Sequence, residues 1–258
     1  MEERLKKVME NEKTQAMREG GAIMGQLLQD LRRYVKSGMT GKEVDMWVRK
    51  EIVARGAEVA YDMLDDDFPG AICISVNDEL VHGVPKDEPF NEGDKVSFDL
   101  DIYYKGYFTD SAFTMIVGKK GAPAVRQMMR ITEEAMWTGI KQVKPGARVG
   151  DIGYAVEKVL KAGKLGIIKN YVGHGIGKKM HEEPMIPNYG KRGTGYVLKV
   201  GDTICIEPMS CLGKPANYVD KMDNWTAKMK DGSIGCHYEH TILVTEDGYE
   251  VLTLPPQG

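Results

Sequence analysis

Apolar residues recur at three- and four-residue spacing over roughly the first 36 positions, where Ile23, Leu27, Leu28, Leu31 and Val35 form one stripe and charged residues fill the opposite face. That period predicts an amphipathic helix, ended by Ser37-Gly38. Thr40-Gly41-Lys42-Glu43 fits a capping box, in which the Thr hydroxyl and the Glu carboxylate each satisfy an orphan amide. A second helix is therefore predicted to about Arg55, with Val44, Trp47, Val48 and Ile52 as its buried stripe. The period then changes from helical to alternating. Ala71 to Val76 is a short β-branched run, and Val96, Phe98, Leu100 and Ile102 alternate with Ser97, Asp99 and Asp101. Lys105-Gly106 supplies a turn before a second β-forming run to Ser111, so the two runs read as a hairpin. A third helix is predicted over about Pro123 to Gln142, with Val125, Met129, Ile131, Met136 and Ile140 as an imperfect stripe.

The pattern then begins again. Val143 to Val156 echoes Val35 to Val48 at an offset of 143 − 35 = 108, with the same order of elements after it. Similarity at a fixed offset suggests two related halves, although helix–turn–helix units also resemble one another through their turn residues. The halves run over about 35–118 and 143–253, in a single domain covering 1–258 with the N-terminal helix packed on it. A site between such halves would draw side chains from both.

Charged residues in apolar strands mark where that site lies. Asp99 and Asp110 sum to 209, so they share a face of the hairpin, and a loop centred on Tyr104-Lys105 opposes them directly. Like charges so opposed destabilise a sheet unless a cation sits between them. Two such carboxylates can hold one divalent metal or share two; alone, they fit a solvated strand face equally well. Gly173-His174-Gly175-Ile176-Gly177 offers an imidazole between glycines that admit a close approach, and His181 follows in His181-Glu182-Glu183-Pro184. Glu207 ends the alternating run Asp202 to Ile206. Glu239 stands inside the apolar run Gly235 to Val244, where a buried carboxylate is costly without a partner.

Composition narrows the classes. A net charge of −3 leaves no global footprint for nucleic acid, and no run approaches a membrane span. The N-terminus lacks an apolar targeting region, and the 4 cysteines (Cys73, Cys205, Cys211, Cys236) show no CxxC spacing, so they read as reduced thiols in a cytoplasmic protein.

In order and with their flanks, Asp99, Asp110, His174, Glu207 and Glu239 resemble the metal ligands of the methionine aminopeptidase family, type I, over nearly the whole chain. The flanks Gly-His-Gly-Ile-Gly, His-Glu-Glu-Pro, Ile-Glu-Pro-Met and Tyr-Glu-His-Thr agree as well. The resemblance implies an α+β pita-bread fold, a curved antiparallel sheet backed by helices in two pseudo-symmetric halves. It implies two divalent metal ions, with Asp110 and Glu239 bridging, Asp99 completing one site, and His174 and Glu207 the other. The donor set suits Mn²⁺, Fe²⁺, Co²⁺ or Zn²⁺. Glu207 would move a proton from the attacking water, His181 would contact the substrate carbonyl, and His82 would lie near the scissile amide. Phe68, Cys73, Met180 and Trp225 would form the pocket wall. The implied reaction is removal of the initiator methionine from nascent chains with a small second residue, by a monomer. The ribosome is a candidate partner through Arg4, Lys6, Lys7, Lys13 and Arg18, although acidic residues interleave with them.

Three departures bear on specificity. Met180 stands where relatives usually carry Phe, Asp101 stands where Thr is more usual, and the loop before Cys73 carries Asp62, Asp65, Asp66 and Asp67. The acidic loop reads as solvated. Two rivals share the fold: a prolidase or aminopeptidase P, usually with a large further N-terminal domain, and a non-catalytic peptide-binding module, which typically loses ligands.

Overall fold

The computed structural model describes residues 2–64 and 67–256, with side chains from Glu12 onward. Asp65, Asp66 and the side chains of Arg4, Lys6 and Lys7 lie outside the described residues. Helices α1 (Glu2–Tyr34) and α2 (Gly41–Ala54) lead the chain, and α3 (Pro123–Ile140) and α4 (Val149–Ala162) follow the hairpin. The capping box at Thr40 is present, with Val44, Val48 and Ile52 buried. Trp47 is only partly covered, stacked on Tyr34 at 4.3 Å between ring centroids. In α3 the buried face is Val125, Met128, Thr132, Ala135, Met136, Gly139 and Ile140. Met129 and Ile131, expected inside, are half-exposed. Thr132 is buried in their stead because its hydroxyl bonds the Met128 carbonyl at 2.8 Å and the Ser210 hydroxyl at 2.6 Å.

Antiparallel strands lie under these helices. Lys95–Tyr104 pairs with Tyr107–Ile116 along one edge and with Cys73–Val76 and Glu58–Val59 along the other. A five-stranded sheet follows in the order Gly248–Val251, His240–Thr245, Thr203–Ile206, Gly173–Gly175, Glu182–Ile186. The two sheets meet where Glu239 exchanges backbone hydrogen bonds with Ala112, its N–H donating at 2.9 Å and its carbonyl accepting at 3.3 Å. One hydrophobic cluster, from Leu27 in α1 through Phe98 and Phe113 to Val156 in α4 and Ile204, runs beneath all four helices.

The hairpin register differs from the sequence expectation. Asp101 faces Asp110, and Asp99 faces Ala112. The turn is Lys105-Gly106, with φ of 49° and 89° at its two residues; left-handed conformations at both positions match the twist of the flanking strands. Asp99 and Asp110 still share a face, as diagonal neighbours. The run Gly235 to Val244 is also two strands, Gly235–His237 and His240–Thr245, with Glu239 in the break between them.

The glycines around His174 serve the neighbouring strands. A Cβ on Gly173 would stand 2.2 Å from the Cys205 carbonyl oxygen, and one on Gly175 would stand 2.3 Å from that of Glu183. Gly175→Ala is therefore expected to lower stability by about 1–3 kcal/mol or more through overpacking. Urea denaturation checks this, as a lower midpoint at unchanged slope.

Candidate metal centre

Six acidic and basic side chains from both halves converge: Asp99, Asp101 and Asp110 from the hairpin, and His174, Glu207 and Glu239 from the second sheet. All are buried, from 1% exposed at Glu239 to 8% at Asp99 and Glu207. The carboxylate oxygens Asp99 Oδ1, Asp101 Oδ1, Asp110 Oδ1 and Glu239 Oε1 have no hydrogen-bond partner among the described residues. Buried orphan carboxylates are costly unless a cation compensates them. The Nδ1 of His174 lies 2.9 Å from the Gly175 carbonyl. A proton donated there leaves Nε2 facing Asp110 and Glu207, each 3.6 Å away. A backbone carbonyl holding the far nitrogen is the usual support of a metal-ligating histidine. Ligand atoms fall into two groups within 4.8 Å, one of Asp110, His174, Cys205 and Glu239, the other of Asp99, Asp101 and Asp110. Asp110 belongs to both. The residues present thus fit divalent metal.

Asp101 is only 3% exposed. Asp62 and Asp67 are exposed, and Asp62 is ion-paired with Arg49. Two further residues are brought in that the sequence did not single out for the site. His237 is buried beside Glu207 and Glu239, its Nε2 3.5 and 3.8 Å from their oxygens. Cys205 lies beside Asp110, His174 and Glu239. Each stands two residues before a candidate ligand, His237 before Glu239 and Cys205 before Glu207, and that spacing in β-forming runs was the available signal.

Charge and burial set the ionisation. Burial and then the neighbouring Asp110 push Asp99, Asp101 and Glu239 well above the usual carboxylate range. Asp110, though burial pushes it up, is held below its usual value by His174. Burial lowers the His174 imidazole, but Asp110 and Glu207 more than offset this and raise it to about 9. Burial pushes His82 down, so its ring is neutral near pH 7.

A pH dependence follows. Groups whose folded pKa exceeds the unfolded value bind more protons in the native state, so stability falls as pH rises. For His174 the contribution is complete below 6.5 and lost as pH rises through about 9. Protein held in chelator is thus expected to melt progressively lower from pH 6.5 to about 9. Calorimetric melting across that interval checks it, and an upward trend would contradict the assignment.

The centre floors a cavity of about 130 Å³ walled by Tyr61, Phe68, Cys73, Met180 and Trp225. Phe68 lies 4.5 Å from Tyr61 and 5.4 Å from Trp225 between ring centroids. The Tyr61 hydroxyl lies 3.2 Å from the Cys73 sulfur. Tyr61, in the short helical turn Ala60–Met63, is a wall residue the sequence did not indicate. His82, His174, His181 and Glu207 connect this cavity to an outer cleft of about 410 Å³. The His181 ring stands edge-on to His174 at 4.4 Å. His82 has a φ of 56°, an uncommon conformation for a residue with a Cβ. It is fixed by Gly83, which donates to the Ser75 hydroxyl at 3.1 Å and accepts from the Ile74 amide at 2.7 Å.

Residues 15–246 match metallopeptidase family M24. The methionine aminopeptidase of Mycoplasma capricolum is 40% identical over 248 residues, covering 95% of this chain and 97% of the relative. The crystal structure of methionine aminopeptidase from Rickettsia prowazekii superposes with a TM-score of 0.91 at 34% identity, covering 95% of this chain and 98% of the other. The prolidase of Pyrococcus furiosus superposes less well, at a TM-score of 0.75 and 25% identity, and this chain spans 65% of it. With nearly end-to-end matches to such relatives and a pita-bread arrangement of helices on antiparallel sheets, the chain belongs to metallopeptidase family M24, among its methionine aminopeptidases.

Proposed function

We propose that this chain hydrolytically removes the N-terminal methionine from nascent polypeptides and peptides with a small second residue. The observation that carries the reading is an aromatic and sulfur-lined cavity ending on a buried carboxylate–imidazole cluster. The relatives named methionine aminopeptidase support the same substrate.

Asp110 and Glu239 are assigned to both of two divalent ions of the Mn²⁺, Fe²⁺, Co²⁺ or Zn²⁺ type, Asp99 to one, and His174 and Glu207 to the other. The membership of Asp110 in both ligand groups supports its sharing, with Asp99 on one side and His174 on the other; the places of Glu239 and Glu207 rest on the resemblance. When bound, the metal supplies a water acidic enough to ionise near neutral pH and an electrophile for the carbonyl. Glu207, at the junction of cavity and cleft, accepts the proton of the attacking water. His181, on the cleft side, donates a hydrogen bond to the carbonyl oxygen as it gains charge. His82, neutral and held by its strained backbone, faces the scissile amide, where it stabilises the departing amine. Phe68, Cys73, Met180, Trp225 and Tyr61 exclude water around the methionine side chain. The burial-raised Cys73 thiol stays protonated and acts as an apolar contact.

The chain acts as one catalytic domain of two related halves. Asp99 and Glu207 are themselves 207 − 99 = 108 residues apart, the offset of the sequence echo. A self-contained site gives no reason to require a dimer, so the chain is assigned as a monomer, and nascent chains as substrate fit a cytoplasmic location. Among the basic residues of α1, Arg18 is engaged by Glu250 at 2.8 Å, which leaves less charge for a ribosomal contact. A direct test sets Met-Ala-Ser against the dipeptide Ala-Pro. Cleavage of the tripeptide alone is expected, and preference for Ala-Pro would favour the prolidase reading.

A further inference from the structure

The reaction proposed above leaves Asp101 without a role, yet Asp101 is the cross-strand partner of Asp110. The amides of Asp110 and Ala112 turn away from the hairpin, to the Thr241 hydroxyl at 3.0 Å and the Glu239 carbonyl at 3.3 Å. Asp101 and Asp110 are therefore a non-hydrogen-bonded pair, the kind in which opposed side chains come closest. Buried like charges in that position repel unless a cation stands between them or one of them keeps its proton. One side of Asp101 is engaged, its Oδ2 accepting from the Tyr61 hydroxyl at 3.4 Å. Its Oδ1 is buried and unpartnered among the described residues, as are Asp99 Oδ1 and Asp110 Oδ1. The three carboxylates each bring an oxygen within 4.8 Å of the others, and strand alternation puts all three side chains on one face.

We propose that Asp101 is a further ligand of the metal centre, joining Asp99 and Asp110 on the side that lacks His174. The inference rests on the reading that Asp99 and Asp110 hold metal. With Asp101 added, that side offers oxygen ligands of high negative charge, a set suited to hard divalent cations such as Mn²⁺. The imidazole side keeps the mixed set that favours Co²⁺ or Zn²⁺. The two sides should then differ in metal preference, and the advantage of Co²⁺ over Mn²⁺ should shrink on the all-oxygen side.

The test is calorimetric titration of metal-stripped protein with MnCl₂ and separately with CoCl₂, comparing the unchanged chain with Asp101→Asn. Asparagine keeps the shape of the side chain and removes its charge; Asp101→Thr, smaller and β-branched, serves as a second variant. A fall of about tenfold or more in the affinity for one Mn²⁺ equivalent is expected in both variants, with a smaller change for Co²⁺. Folded variants that bind Mn²⁺ as tightly and in the same number as the unchanged chain would overturn the proposal and leave the proposed function standing. An unchanged chain that takes up neither metal would overturn both.

Discussion

Asp110→Asn is expected to abolish peptide hydrolysis while leaving a folded protein. Asp110 belongs to both ligand groups, and its Oδ2 holds the His174 ring at 3.6 Å, so one substitution removes a ligand from each side. Loss of an outer supporting residue at a metal site typically costs about 10–100-fold, so loss of a shared ligand should lower kcat/KM by about 10³ or more. Folding should survive, because asparagine keeps the shape of the side chain in its buried position. The backbone of Asp110 also stays anchored, its amide donating to the Thr241 hydroxyl at 3.0 Å and its carbonyl accepting from it at 2.7 Å. Steady-state kinetics on Met-Ala-Ser, with circular dichroism and metal content on the same sample, check this. Retained activity with full metal content would remove Asp110 from the centre.

His181→Ala is expected to separate catalysis from metal binding. His181 reaches the site from the cleft side, its ring edge-on to that of His174 at 4.4 Å between centroids. A residue that hydrogen-bonds the reacting carbonyl contributes about 10²–10⁴-fold to the chemical step. The variant should lose kcat on that scale while its Mn²⁺ affinity changes by less than about tenfold. Parallel kinetic and calorimetric titrations decide it. Equal losses in turnover and metal affinity would make His181 a ligand or a support of one.

The local parts of this molecule were legible from its residues. The capping box at Thr40 and the stripe of Val44, Val48 and Ile52 belong to one helix, so their period and spacing suffice. The shared face of Asp99 and Asp110 followed from parity alone. Their register did not, because it depends on which residues take the left-handed conformations of the turn: Lys105 and Gly106 do so, one position beyond the expected centre. The apolar, β-branched neighbours of Glu239 predict a strand residue. The chain breaks there so that its backbone can reach Ala112 in the other sheet, a tertiary contact with no local signal. Tyr61 likewise leaves no local signal, since only the fold brings it to Cys73 and Asp101. His237 and Cys205 left a trace two residues before Glu239 and Glu207. Asp101 is buried too, because the rule that acids are exposed fails where several of them converge.

The central claim, metal-dependent removal of an N-terminal methionine, is tested most directly by free methionine released from Met-Ala-Ser and Met-Lys-Ser by metal-stripped protein, with and without added Mn²⁺ or Co²⁺. Release from Met-Ala-Ser alone, and only with metal, is the predicted result. Silence with every metal from a folded protein, or release that persists in chelator, would contradict it.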